Sequence, residues 1–464
     1  MIVKKHLVFF GFLFIPIVSY IYLLTEIPSS LIFWLTNFLV LLVSFLGMAL
    51  VPSKPYSLSK LFFVFIFFFF GIVPLVNEVN QTIFWGGGSL SLFDKALTNI
   101  LILIGMFSFL IGERLRFKSF EFYLIKRIYK VQVSRIRLSI VLIVFFVILF
   151  LILKYSNFNL IQLLFRGAVS DLLGEVSLNP SMSQIEYLLF KNVIRPMPII
   201  FLFLFYYLFL KSKDINIRPS TRISPLVMVS VFFLSVFFLS PTSVSRYMVA
   251  ALYLPFIFIF TNLWEHKYRM QIYLVGFLVF MMPILDNFRN FDPSNLKFEV
   301  GLNYLNQEHF DAYQNFVRVV SENFVTNGLQ FLGALLFFVP RSVWPEKPIG
   351  SGAQLANDLN YEFANISMPY MAEGYVSFGV AGVILLMILM GFIVGYFDRI
   401  AWSVRHLNKS KHHVFIYYYF INFGMLFFML RGDLMSSFAY TVGISISFVI
   451  VFLIFKLSAL RLKF

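Results

Sequence analysis

YVSFGVAGVILLMILMGFIVGYF, residues 375–397, contains neither an acid nor a base. At about 1.5 Å per residue it makes a helix of about 35 Å, long enough to cross a hydrocarbon core about 30 Å thick. Working outward in both directions, comparable runs recur at 6–24, 31–51, 59–76, 94–112, 138–154, 193–210, 225–240, 247–264, 270–286, 413–430 and 438–456. The chain is 60% hydrophobic, holds 63 phenylalanines among 464 residues and has a mean hydropathy of +0.85, values that a water-soluble core of this length does not support. An isolated segment in lipid must satisfy its own backbone hydrogen bonds, which only a helix does, and the alternation of a membrane barrel is absent. The sequence therefore predicts an all-α polytopic integral membrane protein with about 12 transmembrane helices. Helices 1–9 fall in residues 1–286, one long loop in 287–374, and helices 10–12 in 375–464.

A net charge of +15 can signal nucleic acid, but its distribution points elsewhere. With the N-terminus in the cytoplasm, 25 of the 37 Lys and Arg residues fall on the cytoplasmic side with only five acids (Glu113, Glu121, Asp214, Glu265 and Asp398). The other face then holds 12 basic and 17 acidic residues, a positive-inside arrangement that also puts the C-terminus in the cytoplasm. Basic charge sets orientation and meets anionic lipid, and nucleic acid is not an expected partner. Residues 113–137, the largest basic block, read as an interfacial helix anchoring that topology. Lys4 and Lys5 precede an apolar stretch as in a signal peptide, but the bulky residues around Ile15–Tyr20 offer no cleavage site, so 6–24 reads as a retained first span. With no cysteine, disulfides, thiolate catalysis and Cys-based metal sites are excluded.

The charge count places the long loop outside the cytoplasm. Its apolar stretch Phe331–Val339 is too short to cross and reads as a re-entrant or surface-lying segment ended by Pro340. Upstream, Phe310, Tyr313, Phe316, Val320 and Phe324 recur at helical spacing, predicting an amphipathic surface helix over 306–327. Asn306 would cap it, Asn327-Gly328 would end it, Asp311 and Arg318 would share its polar face, and Arg318 would pair with Glu322. Downstream, Pro340, Pro345 and Pro348 stiffen a turn carrying Arg341, Trp344 and Lys347. Arginine offers paired hydrogen bonds to phosphate oxygens, lysine a point charge, and an aromatic ring beside them suits a phosphate that carries sugar.

Almost no ionisable side chain sits at mid-membrane depth, where ion-coupled transporters keep theirs. Arg195, Arg246, Asp286, Arg289, Glu373 and Arg431 lie instead at the outer helix ends, an arrangement suited to chemistry on a head group held at the membrane surface. No metal-ligand spacing is evident and no cofactor is expected.

The order His309-Phe310-Asp311-Ala312-Tyr313, Gly328-Leu329-Gln330, Phe338-Val339-Pro340-Arg341-Ser342-Val343-Trp344-Pro345-Glu346-Lys347-Pro348, then Glu373-Gly374-Tyr375 and Phe378-Gly379 resembles the Wzy-type O-antigen and capsular polysaccharide polymerases. These motifs cover about 75 residues; elsewhere the likeness is one of hydropathy and loop layout. The resemblance implies a membrane glycosyltransferase at the outer face of the bacterial inner membrane. It would transfer a growing glycan from undecaprenyl diphosphate to the non-reducing end of another lipid-linked unit, with a chain-length regulator as a further partner. The family's essential arginines in two outer loops would correspond to Arg166 and to Arg289 or Arg341. For the residues themselves, Arg166, Arg246, Arg289, Arg341, Lys347, Trp344 and Arg431 are the expected diphosphate and glycan contacts. Asp311, His309 and Glu373 are the expected bases or polarising groups, with Arg341 stabilising the leaving diphosphate. A lipid-linked oligosaccharide flippase, an O-antigen ligase and a non-catalytic assembly subunit are the competing readings. The spans lack the polar central path that a flippase needs.

Overall fold

The computed structural model describes residues 29–50, 54–129, 138–164, 186, 189–212, 223–260, 265, 269–276, 278, 302–408 and 413–457, and every element among them is helical. The run at 6–24, most of 270–286, residues 130–137, and Arg166, Asp286 and Arg289 lie outside the described residues.

In chain order the helices are α1 (Ser29–Leu50), α2 (Leu58–Val79), α3 (Leu92–Arg114), α4 (Lys118–Tyr129), α5 (Leu138–Tyr155), α6 (Phe190–Leu210), α7 (Pro225–Phe238), α8 (Arg246–Phe260) and α9 (Arg269–Gly276). Then follow α10 (Ala312–Ser321), α11 (Leu329–Leu335), α12 (Ser351–Asp358), α13 (Tyr370–Asn408), α14 (Val414–Arg431) and α15 (Leu434–Leu457). Eight of them, α1, α2, α3, α5, α6, α13, α14 and α15, are long and apolar enough to cross a membrane, and α7 and α8 are shorter apolar helices. This is a polytopic helical membrane protein.

Small residues set the closest packing. A Cβ on Gly391 would lie 2.0 Å from the Phe109 carbonyl oxygen, and one on Gly112 would lie 2.0 Å from that of Ile388, so α3 and α13 touch backbone to backbone. Glycine allows this approach, and in lipid the resulting van der Waals contact is what holds helices together. In α2 the run Ile66–Ile72 is a π-helical turn followed by Pro74. Proline has no N–H for the carbonyl four residues back, and the Asn37 side chain of α1 donates to that Phe70 oxygen instead, at 3.3 Å.

One end of the bundle is tied by charge. Asp398 accepts from the amides of Leu58 (2.8 Å) and Ser59 (3.1 Å) and so caps α2, while Tyr419 donates to it from α14. Arg399 pairs with Glu121 of α4 at 2.6 Å and donates to the Glu113 carbonyl at 2.8 Å.

The long loop is built into the other end. Where a single surface helix over 306–327 is expected, the chain forms two 3₁₀ turns (Leu302–Asn306 and Glu308–Phe310) and then α10, which stops at Ser321. Eight of the ten residues of α10 are buried, because Phe310 and Phe316 pack against Phe69 and Phe70 of α2 and the Tyr313 hydroxyl reaches Asn99 of α3 at 3.0 Å. Buried Asn and Gln side chains interrupt the expected polar face and bond to neighbouring loops. Asn306 does not cap α10; its side chain accepts from Asn77 and Thr82. Asn327 and Gly328, both with positive φ, begin α11 rather than end α10. Arg318 donates to the Gly88 carbonyl instead of pairing with Glu322. The apolar stretch after Gly328 forms the two-turn α11, whose Leu329, Leu332 and Leu335 stay exposed, as does Phe338 beyond it.

α13 is interrupted at Phe378-Gly379, where Gly379 has φ 62°. The helix ahead of the break leaves the Val376 and Ser377 carbonyls unpaired, and the amides of Thr326 and Gly328 donate to them, both at 2.7 Å. The long loop thereby completes the hydrogen bonding of a membrane helix.

Candidate functional site

At this end of the bundle the helix termini and loops enclose a cavity of about 760 Å³. Its helix-end wall carries Lys191 of α6, Arg246 and Tyr247 of α8, and Phe428 and Arg431 of α14, with Asp433 and Tyr440 alongside. Its loop wall carries Trp85, Gly86, Glu308, His309, Glu362, Phe363, Asn365 and Ser367.

Asp311 joins the two walls. Fully buried at the start of α10, its carboxylate accepts from the Trp85 indole (3.0 Å), the Asn315 amide (2.9 Å) and the Ser367 amide (3.2 Å). The Ser367 hydroxyl also donates to it, and an Arg431 guanidinium nitrogen stands 3.4 Å away. A buried carboxylate requires this density of donors, and the arrangement fixes a loop at residue 85, a second at 367 and the end of α14 around one point. Arg431 donates a second bond to the His309 carbonyl at 2.9 Å, and Arg246 reaches within 3.5 Å of His309 Nε2. Two guanidinium groups therefore hold His309, one at its imidazole and one at its backbone carbonyl. Tyr304, beneath them, has its hydroxyl pKa pushed up to about 12 by burial, against the opposing pull of Arg246 and Arg431.

Glu373 lies just outside the cavity, buried in the first turn of α13. It accepts from the Leu434 amide at 2.8 Å and from the Ser351 hydroxyl, which also contacts Asp433 at 3.3 Å. It thus fixes the turn between α14 and α15 that presents Arg431 and Asp433.

Arg341, Trp344 and Lys347 do not line the cavity. Arg341 donates to the carbonyls of Lys347 (2.6 Å) and Pro348 (3.3 Å), and Lys347 to those of Phe337 (2.6 Å) and Val339 (3.0 Å). Partial burial and the adjacent Arg341 hold the Lys347 ammonium below the ordinary lysine pKa. Of the residues read from sequence, Arg246, His309, Asp311 and Arg431 come together around the cavity, Glu373 braces it, and Arg341, Trp344 and Lys347 stand apart.

Sequence reading missed Trp85, Lys191, Phe363 and Asp433. Trp85-Gly86-Gly87-Gly88 was the available signal: an aromatic followed by three glycines in a short loop between spans. Among the described residues no three His, Asp or Glu side chains gather in a metal-holding group. Comparison with protein-family models, curated proteins and solved structures finds no match to this chain.

Proposed function

We propose that this protein polymerises undecaprenyl-diphosphate-linked oligosaccharide repeat units into a long O-antigen or capsular polysaccharide, and that the cavity is its active site. The supporting observation is the convergence of Arg246 and Arg431, from two helix ends, on His309 and Asp311 in one cavity at the membrane-helix termini. The positive-inside charge distribution supports placing that cavity on the extracytoplasmic face of a bacterial inner membrane. Membrane lipids and a chain-length regulator complete the partners of this reading.

A polyprenyl diphosphate enters from the lipid and presents its phosphates to Arg246, Arg431 and Lys191. A hydroxyl of the acceptor sugar attacks the anomeric carbon of the donor glycan. The bond from that carbon to the diphosphate oxygen breaks, undecaprenyl diphosphate leaves with the bonding electrons, and the hydroxyl proton passes to His309. Preorganised guanidinium groups stabilise the charge that develops on the leaving oxygen. Asp311, already accepting from several donors, orients Arg431 and Trp85 rather than taking the proton. Glu373 holds the α14–α15 turn in place.

Reconstitution in liposomes with one purified lipid-linked repeat unit tests the reading. A ladder of longer lipid-linked glycans supports it. Transfer of the glycan only to a lipid A core would favour a ligase, and movement between leaflets without elongation would favour a flippase; either overturns it.

A further inference from the structure

The two walls of the cavity differ chemically. All three lining Lys and Arg residues, Lys191, Arg246 and Arg431, belong to the helix-end wall, while the loop wall pairs Trp85 and Phe363 with Glu308, Glu362 and Asn365. The Trp85 and Phe363 rings stack with centroids 5.2 Å apart and planes 20° from parallel, and Phe363 remains 41% exposed.

This aromatic pair is held at a cost. Trp85 has φ 63°, a conformation that bulky side chains avoid and that persists only where the surroundings enforce it. Here they do: Gln314 accepts from the Phe84 amide at 3.1 Å and donates to the Thr82 carbonyl at 2.7 Å, and the Trp85 indole is fixed on Asp311. Arg318 donates its guanidinium to the Gly88 carbonyl of this loop and is not part of the cavity lining.

We propose that the loop wall is the acceptor subsite, in which Trp85 and Phe363 form a stacking platform for the terminal sugar of the acceptor and Glu362 and Asn365 receive its hydroxyls. This rests on the polymerase reading and adds a substrate class to it. A pyranose presents a face of C–H groups that packs on an aromatic ring, and its hydroxyls need acceptors at the ring's edge. Two carboxylates and no lining cation repel a diphosphate, which the opposite wall attracts. They also repel an acidic sugar, so the acceptor terminus is a neutral or amino sugar. The platform is joined to the cationic wall through Asp311, which accepts from the Trp85 indole at 3.0 Å and lies 3.4 Å from Arg431.

Saturation-transfer NMR on the full chain in nanodiscs tests this, with the lipid-free oligosaccharide released by mild acid from the cells' own lipid-linked repeat units as probe. Ring protons of its terminal sugar should saturate in the unmodified protein. Phe363→Ala and Phe363→Leu should weaken binding about tenfold, the loss of one aromatic contact, whereas Phe363→Tyr should bind as the unmodified protein does. Arg246→Ala should leave this binding unchanged while abolishing retention of undecaprenyl diphosphate. Equal binding by Phe363→Leu and Phe363→Tyr, absence of terminal-sugar saturation, or a carboxylate on that sugar would each overturn the proposal. If the probe binds with this ring dependence but no glycan ladder forms in liposomes, the polymerase reading fails and the sugar subsite stands.

Discussion

The Arg341 turn and the Arg431 helix end contain the same chemistry and use it differently. In both, a guanidinium stands beside an aromatic-rich, glycine-containing segment near the membrane. Arg341 has its donors on the carbonyls of residues 347 and 348, six and seven positions along its own chain. Arg431 reaches residues 309 and 311, more than a hundred positions away, and faces a cavity. A proline-rich turn leaves carbonyls without amide partners, because proline cannot donate, and a nearby basic residue satisfies them. Arg431 also satisfies a backbone carbonyl, that of His309, but from a helix end that lines the cavity, where a ligand can reach its guanidinium. What separates the two arginines is where their partners lie in the chain and whether a cavity adjoins them, rather than residue type.

Four substitutions test that contrast. Arg431→Ala should produce the largest loss, about 10²- to 10³-fold in the rate of glycan elongation, the scale of removing one preorganised donor from a developing negative charge. Retained elongation above a tenth of the normal rate would place catalysis elsewhere. Asp311→Asn exchanges an acceptor-only carboxylate for an amide that must direct donors at Trp85, Ser367 or Arg431. Leaving buried groups mismatched should cost about 1–3 kcal/mol of stability, with elongation falling about tenfold or more. A melting temperature unchanged in nanodiscs would show that Asp311 does not tie the walls together. Arg246→Lys keeps the charge and loses the planar pair of donors, and about a tenfold rise in the donor KM is expected with little change in melting temperature. Arg341→Ala should have the smallest effect on chemistry, with elongation within about threefold of normal, because the carbonyls it releases can turn to water; its expected signature is a lower melting temperature. If Arg341→Ala abolishes elongation in a protein that still melts normally, the comparison is reversed and the turn belongs to the active site.

The membrane helices were legible because hydrophobic length is a local property: the runs at 31–51, 94–112 and 413–430 differ from α1, α3 and α14 by at most two residues at either end. The cavity was half legible. Arg246 and Arg431 stood out as charges at helix ends, and His309 and Asp311 as polar residues beside an apolar stripe. Trp85 and Lys191 did not, since their partners lie hundreds of residues away and only packing brings them together. The stripe on residues 310–320 reads as apolar and is buried, but the helix that carries it reads as lying on the surface, whereas most of its other residues are buried too; periodicity shows that one face is covered without saying what covers the rest. Buried Gln314 and Asn315 carry the missing information, and their hydrogen bonds to Thr82, Phe84 and Ser367 are visible only in three dimensions.

The break in α13 bears on how the protein is made. Thr326 and Gly328 supply amides to carbonyls at 376 and 377, so the two segments complete one hydrogen-bond ladder from opposite sides of a fifty-residue stretch. During synthesis the segment around 326 is translated first and has no partner until the chain has grown past 377. The start of α13 is therefore a condition for completing the hydrogen bonds of the segment at 326–328, some fifty residues earlier in the chain. A chain cut short before α13 would present α10 and α11 to the translocation machinery as unfinished surfaces, open to chaperones and proteases. For this protein, the cavity end of the bundle is assembled only after α13 and α14 have been made.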